Sequence, residues 1–239
     1  MMKLNRKSIL LSAAAASFAM ISMPALADTI VLDSSSIGQS YTFDYNGFSG
    51  STEVDGLTAS TTFTLTGISG DQYFFDYSVA NTTSDPVDSR ISSFGFNTNP
   101  DIVGATSTGA FSYTTLNSSY PNKIGDIDVC FKDADTGACS GGGNGGLTDG
   151  QTGTGSFTLS FGDPVSSLTL GDFYVRYQSV DGAGNVTSAS GYGTNTTSSS
   201  SSSSGGTEVP EPGVLGLMGV GLVAIGLLRR RRQYAKAAL

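Results

Sequence analysis

The side chains able to do chemistry in this 239-residue chain are two cysteines and many carboxylates, with no histidine anywhere. Without an imidazole there is no Ser-His-Asp relay, and a cysteine nucleophile lacks its usual base. Cys130 and Cys139 also lack the further His or Cys ligands that zinc takes. What remains for two thiols with eight residues between them is each other. In an exported chain a disulfide closing that short loop is the expected state. It would contribute about 2–3 kcal/mol on the chain-entropy account. Asp126, Asp128, Asp133 and Asp135 crowd around Cys130, and Asp133-Ala134-Asp135-Thr136-Gly137 has the opening spacing of a calcium loop. The third acidic ligand and the distal Glu are missing, so a weak calcium site competes there with plain solvated turn aspartates. Calcium is the only cofactor the pattern suggests. Glycoside hydrolysis needs two carboxylates at a set separation, and nothing selects a pair from so many. The chain reads as no enzyme.

These groups must be carried by strands. Tyr41, Phe43 and Tyr45 alternate with polar residues, as do Phe63 with Leu65, and Phe75, Tyr77 and Val79. Phe94 with Phe96, Phe111 with Tyr113, Val129 with Phe131, Phe157-Leu159-Phe161 and Phe173-Val175-Tyr177 continue the period of two. Asn46-Gly47, Ser69-Gly70-Asp71, Ser84-Asp85-Pro86 and Asp181-Gly182 punctuate the runs. No stretch of this part has helical periodicity with caps. About ten short strands at turn-rich spacing imply an all-β fold, an antiparallel β-sandwich resembling a jelly roll. The aromatic rows are its core, and tryptophan, the favoured sugar-stacking residue, is absent.

Both ends of the chain differ from this middle. Lys3, Arg6 and Lys7 precede an apolar stretch and then Pro24-Ala25-Leu26-Ala27, the layout of a secretory signal peptide over residues 1–27 with Ala25 and Ala27 at the cleavage site. Residues 28–193 make one domain's worth of chain, and 194–208, rich in Ser, Thr and Gly, reads as a flexible linker holding it roughly 20 Å from its anchor. Between residues 28 and 208 only Arg90, Lys123, Lys132 and Arg176 face 19 carboxylates, a net charge of −15. Such a surface repels nucleic acid and suits cations or cationic matrix components. Next come Val209-Pro210-Glu211-Pro212, an uncharged apolar run over 213–228, and Arg229, Arg230, Arg231 and Arg232. The run spans about 22–24 Å as a helix, short of the roughly 30 Å hydrocarbon core, but residues 209–212 lengthen it, the arginines can snorkel, and they suit a cytoplasmic stop. Pro210 and Pro212 stiffen an extended peptide of the kind a protease cleft binds.

Taken together, residues 209–233 resemble the PEP-CTERM sorting signal, the tail recognised by exosortases. That resemblance implies an exported protein of an exopolysaccharide-producing Gram-negative bacterium. Exosortase, an integral-membrane enzyme with a cysteine nucleophile, would cut near the motif, with Pro210, Glu211 and Pro212 as recognition positions in a substrate. The other partners expected are signal peptidase and the secretion machinery, the inner membrane as transient anchor, and exopolysaccharide. The cysteine pair, the glycine run after it and Phe173–Ser179 are similar to the cistern subgroup, which implies only surface export. The expected function is that of a non-catalytic structural protein of the cell surface or extracellular matrix. A carbohydrate- or calcium-binding adhesion module is the alternative, and a glycoside-active enzyme comes behind both.

Overall fold

The computed structural model describes residues 28–136 and 138–197. The expected signal peptide, sorting signal, apolar run 213–228 and most of the linker lie outside them. Among the described residues no helix is long and apolar enough to cross a membrane. The chain there forms β1 (Ile30–Leu32), β2 (Ser40–Ser49), β3 (Thr52–Ser69), β4 (Gln72–Asn81), β5 (Asp88–Asn99) and β6 (Ile102–Ser107). It continues with β7 (Tyr113–Tyr120), β8 (Gly125–Lys132), β9 (Leu147–Thr148), β10 (Thr152–Phe161), β11 (Leu168–Asp181) and β12 (Ser188–Asn195). The pairings among these strands are antiparallel. The all-β expectation holds.

The sandwich expectation holds in its coarser form, as a sandwich-like antiparallel all-β fold, and differs in detail. A sandwich would hold two separate sheets, whereas here one sheet runs β6-β10-β4-β3-β2-β12-β11-β5-β8-β7, with β1 on β11 and β9 on β5. The reason is that β2 and β12, the edges two facing sheets would leave open, pair from Phe43 with Asn195 to Phe48 with Ser190. The two halves of the strip therefore face one another as a nearly closed barrel. At the far seam, Thr114 on β7 donates to the Ala105 carbonyl on β6 at 3.2 Å.

Alternation decides what fills the interior. Phe63 on β3 lies 5.6 and 5.9 Å from Phe94 and Phe96 on β5, 5.8 Å from Phe173 on β11 and 5.9 Å from Phe157 on β10. Phe43 stacks on Phe173 at 3.8 Å. The rings of both halves thus form one buried aromatic core, with polar side chains outside. Two expectations about local structure fail. Asn46-Gly47 is no turn: it sits inside β2 at a register shift, where a Cβ on Gly47 would collide with Leu57. Phe111 belongs to a 3-10 turn (Gly109–Phe111) and is buried, while Tyr113 is 43 % exposed. The domain also runs past residue 193. β12 continues to Asn195, and the Thr196 amide donates to the Thr42 carbonyl at 2.8 Å.

Burial raises the phenol pKa of Tyr45, Tyr120 and Tyr177 above the ordinary value. A raised folded pKa leaves stability intact below the unfolded value and removes it as pH climbs. The domain should therefore hold through neutral pH and unfold above about pH 10. The check is near-ultraviolet phenolate absorbance followed together with circular dichroism as pH is raised. The buried three should ionise only together with the loss of circular dichroism. Ionisation of every tyrosine with the fold intact would contradict this.

Candidate functional site: a covered layer on the outer face of the barrel, and a sorting tail

Strand β5 is buried on both faces from Ser89 to Phe96. Its inner side, with Ile91, Phe94 and Phe96, meets the aromatic core, and its outer side lies under residues 133–136 and 138–146. Glycine makes so close a cover possible. Gly141 and Gly146 have φ of +72° and +73°, and a Cβ at either would run into the backbone of Ser92 or Ile91. The glycine run after Cys139 is therefore a packing device.

Arg90 holds this cover down. Its Nη1 donates to Asp133 Oδ2 at 2.8 Å and to the Gly145 carbonyl at 2.7 Å. Its Nη2 donates to the Gly142 carbonyl at 2.8 Å and to Gln178 Oε1 at 2.6 Å. The other oxygen of Asp133 accepts from the Gly142 amide at 2.7 Å. Ser92 Oγ adds a bond to the Ser140 carbonyl at 2.9 Å. The ion pair is almost sealed, with the Asp133 side chain 1 % exposed. A cavity of about 610 Å³ opens beside it between Asp88, Asn144 and Asp149. Both terminal nitrogens of Arg90 are already engaged, so it presents neither of them to a ligand there.

The rest of the layer collects the other unusual groups. Lys132, buried at the end of β8, donates to the Thr136 carbonyl. Arg176 on β11 is buried, with Nη1 on the Ala189 carbonyl at 2.9 Å and Asn122 Oδ1 at 3.1 Å. Among the described residues Arg176 Nε and Tyr120 OH have no hydrogen-bond partner. Cys130 and Cys139 share a small buried cluster with Tyr120 and Ile127. Both are free thiols here, so the expected disulfide is not formed in this structure. Burial pushes the Cys130 thiol up. The hydrogen bond from Cys130, aided by Ser118 and by the Lys132 ammonium, draws Cys139 down.

The four aspartates do not assemble as a calcium site. Asp133 is spent on Arg90 and Gly142, and Asp128 Oδ2 accepts from the Thr98 amide at 2.7 Å. Asp126 and Asp135 are exposed. No group of three or more carboxylates and thiols able to hold a metal occurs among the described residues. Asn81, which heads one of the chain's glycosylation-like Asn-x-Thr triplets, is buried and bonded to Ser89 Oγ and the Leu147 carbonyl at 3.0 Å. Sequence reasoning missed Arg90, Lys132, Arg176, Gln178 and Tyr120 as a cluster. The available signal was arithmetic: three of the domain's four cations fall on strands, where an acidic surface would leave little reason for them.

Ala25, Ala27, Pro210, Glu211, Pro212 and Arg229–Arg232 lie outside the described residues. Comparison with known proteins bears on the last two of these groups. Residues 208–232 match the PEP-CTERM protein-sorting motif. The motif indicates an exported protein made as a membrane-anchored precursor, with exosortase as its processing partner. No curated protein and no solved structure matches the chain.

Proposed function

We propose that this chain is a structural protein of the cell surface or extracellular matrix, released by exosortase, associated with exopolysaccharide and without catalytic activity. The observation that carries the reading is the sorting motif at 208–232, a processing address with no reacting group of its own. The surface of the domain supports it. Arg90, Lys132 and Arg176 are buried, so among the described residues Lys123 is the one exposed cation. A surface so strongly anionic stays soluble at high density and draws counter-ions and cationic matrix components. Signal peptidase would act after Ala27, and the 213–228 run with Arg229–Arg232 would hold the precursor until the cut near Pro210–Pro212.

A specific observation favours a carbohydrate-binding role for the same domain. Outward-facing residues of β2, β3, β4 and β10 align in rows: Ser40-Thr64-Asp76-Ser156 and Thr42-Thr62-Ser78-Thr154. Ser40 and Thr64 hydroxyls lie 2.7 Å apart and those of Thr42 and Thr62 3.0 Å apart. Such a lattice offers donors and acceptors together, which is what the hydroxyls of a neutral polysaccharide need.

One experiment addresses both readings. Replacing Pro210 and Pro212 by alanine should leave the chain in the inner-membrane fraction, whereas the parent chain reaches the surface or medium. Unchanged release would overturn the sorting assignment. Released parent protein passed over neutral polysaccharide would be retained on the carbohydrate reading, with Thr42→Val/Thr62→Val reducing retention, and would flow through on the purely structural one.

A further inference from the structure

The segment from Asp133 to Gly146 is costly to order. Ordering backbone costs conformational entropy at every residue, and this segment buries few apolar side chains of its own. Arg90, Gln178, Ser92 and Ser93 hold its carbonyls by hydrogen bonds. Each such bond replaces one to water, so its net contribution is small. Those bonds alone match the cost poorly. Yet the segment brings Cys139 directly onto Cys130, in the one apolar cluster it touches. The Cys130 thiol donates to the Cys139 carbonyl at 3.7 Å, and both sulfurs lie fully buried in that cluster.

We infer that Cys130 and Cys139 form a disulfide that staples residues 133–146 over the outer face of β5, made before that segment docks. The order of events follows from placement. Cys130 sits mid-strand, opposite Gly95 of β5 on one side and Thr115 of β7 on the other, while Cys139 lies on the covering segment. Cys139 is the sulfur an external disulfide reaches first. Its thiolate attacks that disulfide, expels one thiolate and forms a mixed disulfide. The Cys130 thiolate then attacks the Cys139 sulfur and expels the second. The pair is oxidised by two electrons, and the external disulfide is reduced to two thiols, which take up the two protons. Lys132, two residues from Cys130 on the same strand, favours the Cys130 thiolate and so supports the second step. Once the segment docks, both sulfurs are fully buried and the bond is shielded from reductants.

The inference rests on the exported reading above, because the oxidising compartment lies outside the cytoplasm. The test separates the two. Cells making the full chain are fractionated, free thiols are alkylated under denaturing conditions, and peptides are compared with and without reduction. The expected result is exported chain in which Cys130 and Cys139 are linked and alkylate only after reduction. Exported chain with both thiols alkylated directly would overturn the staple and leave the sorting reading standing. Should the chain stay in the cytoplasm, the sorting reading fails. The staple is then decided on full chain reduced and unfolded in detergent and refolded with glutathione disulfide. An intramolecular bond supports it, and glutathione adducts or free thiols overturn it. In the Cys130→Ser/Cys139→Ser variant, limited proteolysis should nick residues 133–146 many-fold faster than in the oxidised parent, with the rest of the domain still resistant. Equal rates would count against the staple.

Discussion

Asp133→Leu is expected to destabilise the domain by about 3–5 kcal/mol, because it strands the buried Arg90 guanidinium without its counter-charge. For a domain of this length that is a fall in Tm of roughly 6–20 °C. Asp133 holds Arg90 with one oxygen and the Gly142 amide with the other, so the substitution releases two bonds from one face of the cover. Arg90→Met/Asp133→Leu should recover only part of the loss: removing both charges removes the desolvation cost of each, but the Gly142 and Gly145 carbonyls lose their donor. Thermal unfolding of the two single variants and the double variant measures the coupling. A cost below about 1 kcal/mol for Asp133→Leu would mean that the pair is solvated and behaves as a surface bridge.

Phe63→Ala is expected to cost about 3–5 kcal/mol, the upper range for an aromatic truncation. Its ring lies within 6.0 Å of Phe43, Phe94, Phe96, Phe157 and Phe173, and so touches both halves of the sheet. Relaxation cannot easily refill the space, because the five neighbours are fixed on four different strands. Phe74→Ala is the control: its side chain points outward and is half-buried, so the loss should be far smaller. Urea midpoints at unchanged slope would show the difference. Equal costs at the two positions would contradict a core centred on Phe63.

The strands were legible in the sequence because period-two aromatics such as Phe75-Tyr77-Val79 and Phe157-Leu159-Phe161 report a buried face directly. Closure of the barrel was not. The pairing of β2 with β12 joins segments about 150 residues apart, and no local pattern records it. Asn46-Gly47 misled for a related reason: the glycine answers Leu57 on the neighbouring strand, not a turn in its own. The doubly buried β5 was hidden as well. Ser89-Arg90-Ile91-Ser92-Ser93 reads as a strand with one wet face, because the segment covering that face lies some fifty residues on. The aspartates around Cys130 looked like a ligand set in one dimension. In three, Asp133 serves Arg90 and Asp128 serves the Thr98 amide, which leaves no common centre. The sorting tail was readable outright, since its order of proline motif, apolar run and arginines needs no tertiary context.

The account turns on whether this acidic barrel is delivered outside the cell and cut free of its tail. Intact-mass analysis of the protein recovered from surface and medium fractions tests that directly. The predicted species begins at Asp28 and ends near Pro210–Pro212, lacking both the apolar run and Arg229–Arg232. A soluble intracellular chain running from Met1 to Leu239 would contradict it.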